Sequence, residues 1–167
     1  MVILGIDPGY AIVGYGAIRY EQNRYTVLEY GAIRTHAKTP FPERLAQIHD
    51  GMRELFHVCK PDAMAVEELF FNTNTTTAIA VAEARGVIVL SAEQAHVSIA
   101  EYTPLQVKQA VVGYGRAEKA QVMELTRMLL NLREVPKPDD TADALAIAIC
   151  HANSAGSRLG ALYQQGR

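Results

Sequence analysis

Four carboxylates occupy positions that packing alone does not explain. Asp7 closes the apolar run Val2-Ile-Leu-Gly-Ile6 and is followed at once by Pro8-Gly9. An uninterrupted apolar run reads as a strand buried on both faces. Its terminal Asp then lies at the sheet's rim, where a hard cation or a polar substrate is its natural partner; the other reading is an Asp that shapes the Asp-Pro-Gly turn. Glu67 ends a second short run, Asp62-Ala-Met-Ala-Val-Glu67, at the carboxyl end of a strand, the usual ligand edge of an α/β sheet. Asp140 and Asp143 are spaced i,i+3 near the C-terminus, so on a helix both point to one side. Gathered in one place, four acids would repel and raise one another's pKa. Mg²⁺ or Mn²⁺ relieves that conflict through oxygen ligands, and two such ions can activate a water and stabilise the leaving oxygen of a phosphodiester. Each acid also has an ordinary reading, Glu67 as a surface strand end and Asp140 as a helix cap with Asp143 beside it. Together they favour metal chemistry.

The elements that must position these acids follow the order β-β-β-α-β-α-β-α-α-α. Residues 12–20 and 24–34 are rich in β-formers and joined by the polar Glu21-Gln-Asn23, which predicts hairpin pairing. Gly5, Gly9, Gly14 and Gly16 leave room for backbone or ligand to approach. From Pro42, the residues Leu45, Ile48, Met52, Leu55, Phe56 and Cys59 recur at helical spacing until Lys60-Pro61. The strand ending at Glu67 lies between helices and is expected to join the sheet in parallel. The polar loop at residues 72–77 ends in good N-cap residues. A helix over 78–93 follows, apolar nearly all round (Ile79, Val81, Val87, Ile88, Leu90) and so expected to be buried against a partner. A strand over 96–102 precedes a helix opened by Thr103-Pro104 and broken at Gly113-Tyr-Gly115. The helix pattern resumes over 118–132. Asp139 or Asp140 caps a last helix that runs to about His151, with Ala142, Ala146 and Ile149 forming a small apolar face for close approach to the sheet. The expectation is an α/β fold, a five-stranded mixed sheet with helices on both faces, as one domain over 1–152 with a flexible tail over 153–167.

The 167 residues, 49% hydrophobic and 20% charged, suit a single domain with a real core. No apolar stretch approaches the roughly 20 residues that span a bilayer. The start lacks a basic region and a cleavage pattern, so no signal peptide is expected. Cys59 and Cys150 sit in apolar helical patterns, as buried free thiols would in a reducing cytoplasm. A net charge of −2 is unlike a generic nucleic-acid coat. Setting four acids aside as metal ligands leaves a slightly basic remainder, so charge decides nothing. The five histidines show no ligand spacing and read as structural or surface residues. There is no Ser-His-Asp elbow and no P-loop.

Four stretches carry a resemblance: Val2-Ile-Leu-Gly-Ile-Asp-Pro-Gly9 with Gly14-Tyr-Gly16; Ala65-Val-Glu-Glu-Leu-Phe70; residues 107–119, Val-Lys-Gln-Ala-Val-Val-Gly-Tyr-Gly-Arg-Ala-Glu-Lys; and residues 140–149, Asp-Thr-Ala-Asp-Ala-Leu-Ala-Ile-Ala-Ile. In that order, across residues 1 to 150, the chain resembles the RuvC family of bacterial crossover junction endodeoxyribonucleases. The resemblance implies an RNase H-like fold and a homodimer. It also implies paired, symmetric nicking of Holliday junctions in recombination and repair. The cofactor would be Mg²⁺, two ions per active site, with Mn²⁺ able to substitute. The catalytic, metal-binding acids fall on Asp7, Glu67, Asp140 and Asp143; Glu68 should face the other side of its strand. Lys108 and Lys119 match basic positions of the family motif and would contact phosphate or developing charge. Arg116 lies just before a helix whose first N–H groups attract phosphate. Phe70-Phe71 would insert between bases; alternation buries one of the pair, and the resemblance favours Phe70 as the exposed one. The threonine-rich loop touches backbone phosphates or merely caps a helix. The implied partners are a four-way DNA junction and a RuvA-RuvB branch-migration complex, in the cytoplasm and away from membranes.

Three rivals differ in chemistry. An actin-like or sugar-kinase ATPase lobe also opens on a Gly-Ile-Asp-x-Gly turn, but needs a second lobe. A non-catalytic DNA-binding dimer would bind junctions without cutting, and the four acids count against it. An RNA-processing nuclease of the same fold would prefer structured RNA.

Overall fold

The computed structural model describes residues 1–69 and 75–156, without the side chains of Thr75 and Thr76. Strands β1 (Val2–Asp7), β2 (Ile12–Glu21) and β3 (Arg24–Arg34) form an antiparallel meander. Helix α1 (Phe41–Cys59) returns the chain to β4 (Ala63–Glu67), and α2 (Thr75–Gln94) returns it to β5 (Ser98–Tyr102), both strands parallel to β1. The sheet order is β3-β2-β1-β4-β5. Helices α3 (Pro104–Val112), α4 (Lys119–Leu129) and α5 (Asp139–Gly156) complete the expected order of elements.

Local chemistry sets the boundaries. Pro42 occupies the first turn of α1, and Lys60 ends it in a left-handed conformation, φ 44°. Thr103 and Gln106 form a reciprocal capping box on α3. β5 begins at Ser98 rather than at His96, whose φ of 56° belongs to a turn. α4 stops at Leu129, and Asn131, φ 52°, blocks continuation. α5 carries on to Gly156, tied down where the Asn153 amide donates to the Ala110 carbonyl at 3.1 Å and Tyr25 donates to Asn153. Residues 157–167, the rest of the expected tail, lie outside the described residues. Among the described residues no helix is long and apolar enough to cross a membrane.

Strand alternation divides the core in two. Leu4, Ile6, Val13, Met64 and Val66 meet Ile48, Met52, Phe56 and Ile88 on one face. Ile3, Ile18 and Ala65 meet Leu145, Ile149, Val107 and Val122 on the other. Asp7 and Glu67 share the parity of Ile3 and Ala65, so both face α5. That helix was expected to be apolar on one side; instead Ala144 to Ala152 are buried all round, because α3 and α4 cover what the sheet does not. Contact is so close that a Cβ on Gly5 would come within 2.0 Å of the Ala144 carbonyl oxygen, and one on Gly14 within 2.0 Å of the Asp140 carbonyl oxygen. The room left by these glycines is filled by helix backbone.

Helix α2 departs from its reading as buried all round. Only a stripe of Ala84, Ile88, Ser91 and Ala92 is buried, while Ile79 is 71% and Leu90 52% exposed. The helix packs on α1 with one face and leaves an apolar face open.

Candidate active site

Two strand ends and one helix start meet at the carboxyl edge of the sheet. Ile6 pairs with Val66 in the parallel β1–β4 ladder, so Asp7 and Glu67 follow side by side on neighbouring strands. Asp7 itself pairs with Gly14 across β1–β2, and Gly14 lies against the Asp140 backbone. The start of α5 therefore sits over the Asp7 end of the sheet, with Asp143 one turn further on. The helix begins at Asp139 and the Thr141 N–H donates to the Pro138 carbonyl at 2.9 Å, so neither Asp139 nor Asp140 occupies the residue before the helix.

The four acids act on one another electrostatically. Burial, then the charges of Asp143, Glu67 and Asp140, push the Asp7 carboxyl up to about 8, with Lys119 opposing. Burial and then Asp143 raise Glu67, against the pull of Lys119 and Lys108. Burial raises Asp143 despite its hydrogen bond from Lys119. Burial alone would lower Lys119, but Asp143 and Asp139 together hold it above its ordinary value. Lys119 Nζ lies 2.9 Å from Asp143 and 3.5 Å from Asp139. Asp7, Glu67, Asp140 and Asp143 are thus brought into one field, with Lys119 and Lys108 at its margin.

Among the described residues, nothing donates a hydrogen bond to the carboxylates of Asp7, Glu67 or Asp140. Among those residues no group of three or more His, Cys, Asp or Glu side chains stands close enough together to hold a metal ion as placed. The site is a mutually repelling all-oxygen donor set without imidazole or thiolate, in which Asp143 alone of the four has a cationic partner among the described residues, Lys119. Such a set fits hard divalent cations that keep part of their water shell.

Arg116 is exposed in the connection before α4 and makes no ion pair among the described residues. Phe70, Phe71 and residues 72–74 lie outside the described residues, as do the side chains of Thr75 and Thr76. Two histidines make structural contacts: His151 is buried with Nδ1 2.9 Å from the Tyr102 hydroxyl, and His49 lies 3.2 Å from Gln94, while His36, His57 and His96 are exposed. Both cysteines are free; burial pushes Cys150 up to about 12, whereas Cys59 is only half-buried.

Two contacts at the site escaped sequence reasoning. Asp139 shares Lys119 with Asp143. Arg85 of α2 reaches the backbone of Glu67, its Nε donating to that carbonyl at 3.4 Å. Neither contact has a local pattern; both arise where separate elements converge.

Known proteins resemble this chain along nearly its whole length. The family model described as crossover junction endodeoxyribonuclease RuvC matches residues 3–151. The chain is 61% identical over 154 residues to the crossover junction endodeoxyribonuclease RuvC of Alkaliphilus metalliredigens, covering 92% of this chain and 94% of that one. The fold matches the Thermus thermophilus RuvC structure with a TM-score of 0.88 at 39% identity, over 96% of this chain and 97% of that one. It matches T. thermophilus RuvC in complex with Holliday junction substrate with a TM-score of 0.85 at 37% identity, over 93% and 95%. With this match along nearly the whole chain, and an RNase H-like sheet beneath it, the chain belongs to the RuvC family of crossover junction endodeoxyribonucleases.

Proposed function

We propose that this chain resolves Holliday junctions by hydrolysing one phosphodiester in each of two symmetry-related strands, with Asp7, Glu67, Asp140 and Asp143 holding two Mg²⁺ ions that Mn²⁺ can replace. The observation that carries the reading is the convergence of the β1 and β4 ends with the start of α5, which brings Asp7, Glu67, Asp140 and Asp143 to one edge of the sheet. Bound ions supply a water nucleophile of lowered pKa and offset charge on the leaving oxygen.

The chain's own residues do the rest. Asp7, which feels the charges of the other three acids, would be the principal ligand of the ions. Glu67 and Asp143 complete the ligand set, and Lys119 holds the Asp143 carboxylate in one orientation. Asp140, which has no hydrogen-bond donor among the described residues, would ligate an ion or orient the attacking water. Lys108, whose charge reaches Glu67, and Arg116, exposed before α4, receive backbone phosphates. Phe70 follows the acidic strand and inserts between bases.

A junction substrate is supported by the likeness to the T. thermophilus protein complexed with one. Paired nicks call for two active sites related by a twofold axis. The open apolar face of α2, with exposed Ile79 and Leu90, supports a homodimer. By family, a RuvA-RuvB complex is the branch-migration partner and the cytoplasm is the compartment. The nuclease unit runs to the end of α5 at Gly156, four residues past the boundary expected at 152. The test is a synthetic four-way junction incubated with Mg²⁺. The expected result is symmetric nicks in two opposed strands; equal cutting of linear duplex or structured RNA, or none with any divalent ion, would oppose it.

A further inference from the structure

Glu67 ends a strand that is also gripped from outside the sheet. Within the sheet it pairs with Tyr102 of β5, and the next residue's N–H donates to the Tyr102 carbonyl at 2.9 Å. From α2, Arg85 closes a second grip. One guanidinium nitrogen lies 2.6 Å from Glu101 Oε2, and Nε donates to the Glu67 carbonyl at 3.4 Å. The Arg85 side chain keeps only 20% of its exposure. An exposed ion pair of this kind would contribute little by itself. The second contact makes the difference, because it fixes the peptide of a residue whose side chain must aim at a metal.

We infer that Arg85 is a positioning residue: its guanidinium, anchored by Glu101, holds the Glu67 backbone so that the carboxylate points into the shared acidic site. The inference rests on the proposed metal-dependent nuclease reading. Arginine suits the task because its planar fork donates to two acceptors at once. Lysine offers a compact ammonium that can keep the Glu101 ion pair but cannot also present a fork to the Glu67 carbonyl. Displacement of a ligand by even about 1 Å is enough to slow chemistry severely.

The test uses the full chain and compares Arg85→Met, Arg85→Lys and Glu101→Gln with the parent. Four quantities are read: single-turnover nicking of a pre-bound junction, the Mg²⁺ concentration for half-maximal rate, the rise in Tm on adding Mg²⁺, and metal-free junction affinity. Arg85→Met is expected to slow nicking by about tenfold or more, raise the Mg²⁺ requirement and shrink the Mg²⁺-induced rise in Tm. Metal-free junction affinity stays at the parent value. Arg85→Lys regains the metal-free Tm but not the rate. Glu101→Gln, which keeps the carbonyl contact, loses less rate than Arg85→Met. The inference is overturned if Arg85→Lys restores rate and Tm together, if Arg85→Met keeps the parent's rate and Mg²⁺ requirement, or if rate and junction affinity fall in parallel. Should Arg85→Met not fold, the Lys variant decides on the same readouts. A parent that cuts no junction would defeat the nuclease reading instead, and the Mg²⁺-induced Tm rise would still test the positioning role.

Discussion

Lys119 Nζ stands 2.9 Å from the Asp143 carboxylate, joining the first residue of α4 to the first turns of α5. The contact keeps Asp143 from rotating away from Glu67 and Asp7 and places a positive charge where a phosphodiester would gain negative charge. Lys119→Met is predicted to reduce single-turnover nicking by about 100-fold while junction binding weakens far less. Rates and gel-shift affinities measured on one preparation check this; a parent-like rate would reduce the lysine to a surface partner.

Metal-free protein should lose stability as pH rises. Folded Asp7 keeps its proton up to about pH 8, whereas the unfolded chain releases it near 3.8. Between those values the unfolded state has already ionised and the folded state resists, so stability falls with rising pH and levels off above 8. Glu67 and Asp143 are raised too and add to the trend. The Asp7 contribution is on the order of 4 kcal/mol by pH 7. Thermal melts in a chelator should show this slope for the parent and much less of it for Asp7→Asn. Mg²⁺ competes with the proton, so it should raise Tm more at pH 8 than at pH 6.

Gly14→Ala tests the approach of α5 to the sheet. A Cβ there would lie 2.0 Å from the Asp140 carbonyl oxygen, and backbone on both sides must move. The substitution should destabilise by about 3 kcal/mol and slow nicking as well, because Asp140 and Asp143 ride on the displaced helix. Denaturant melts and nicking rates check it; an unchanged rate would show that the acids tolerate the shift.

Arg44 supports the other side of the Asp7 turn. It is buried, its guanidinium lies 4.7 Å over the Tyr10 ring, and it donates to the Tyr10 carbonyl at 3.1 Å and to the Thr35 hydroxyl at 2.8 Å. Arg44→Met strips two charged hydrogen bonds from one region and should lower stability by about 2 kcal/mol. Denaturant unfolding checks the figure, and a change within experimental error would refute it.

Much of this arrangement was legible in the chain itself. Asp7 and Glu67 stood out because each ends a strand-like apolar run, and Asp140 and Asp143 because their spacing fits one helix face. The order of elements followed from where the apolar period changes. Three features escaped. Composition could not tell which face of α2 packs, so Ile79 and Leu90, expected to be buried, stand exposed. The burial of α5 on every side depends on α3 and α4 folding over it, which no local pattern encodes. The contacts of Arg85 and Arg44 join residues from 9 to 34 positions apart in sequence, and each reads locally as an ordinary helix arginine.

The central claim, that four converging acids hold the ions that cut the junction, is tested most directly by Asp7→Asn on a synthetic four-way junction with Mg²⁺. The account predicts parent-like junction affinity with nicking reduced by about 1,000-fold or more, and nicking near the parent rate, or binding lost together with cleavage, would contradict it.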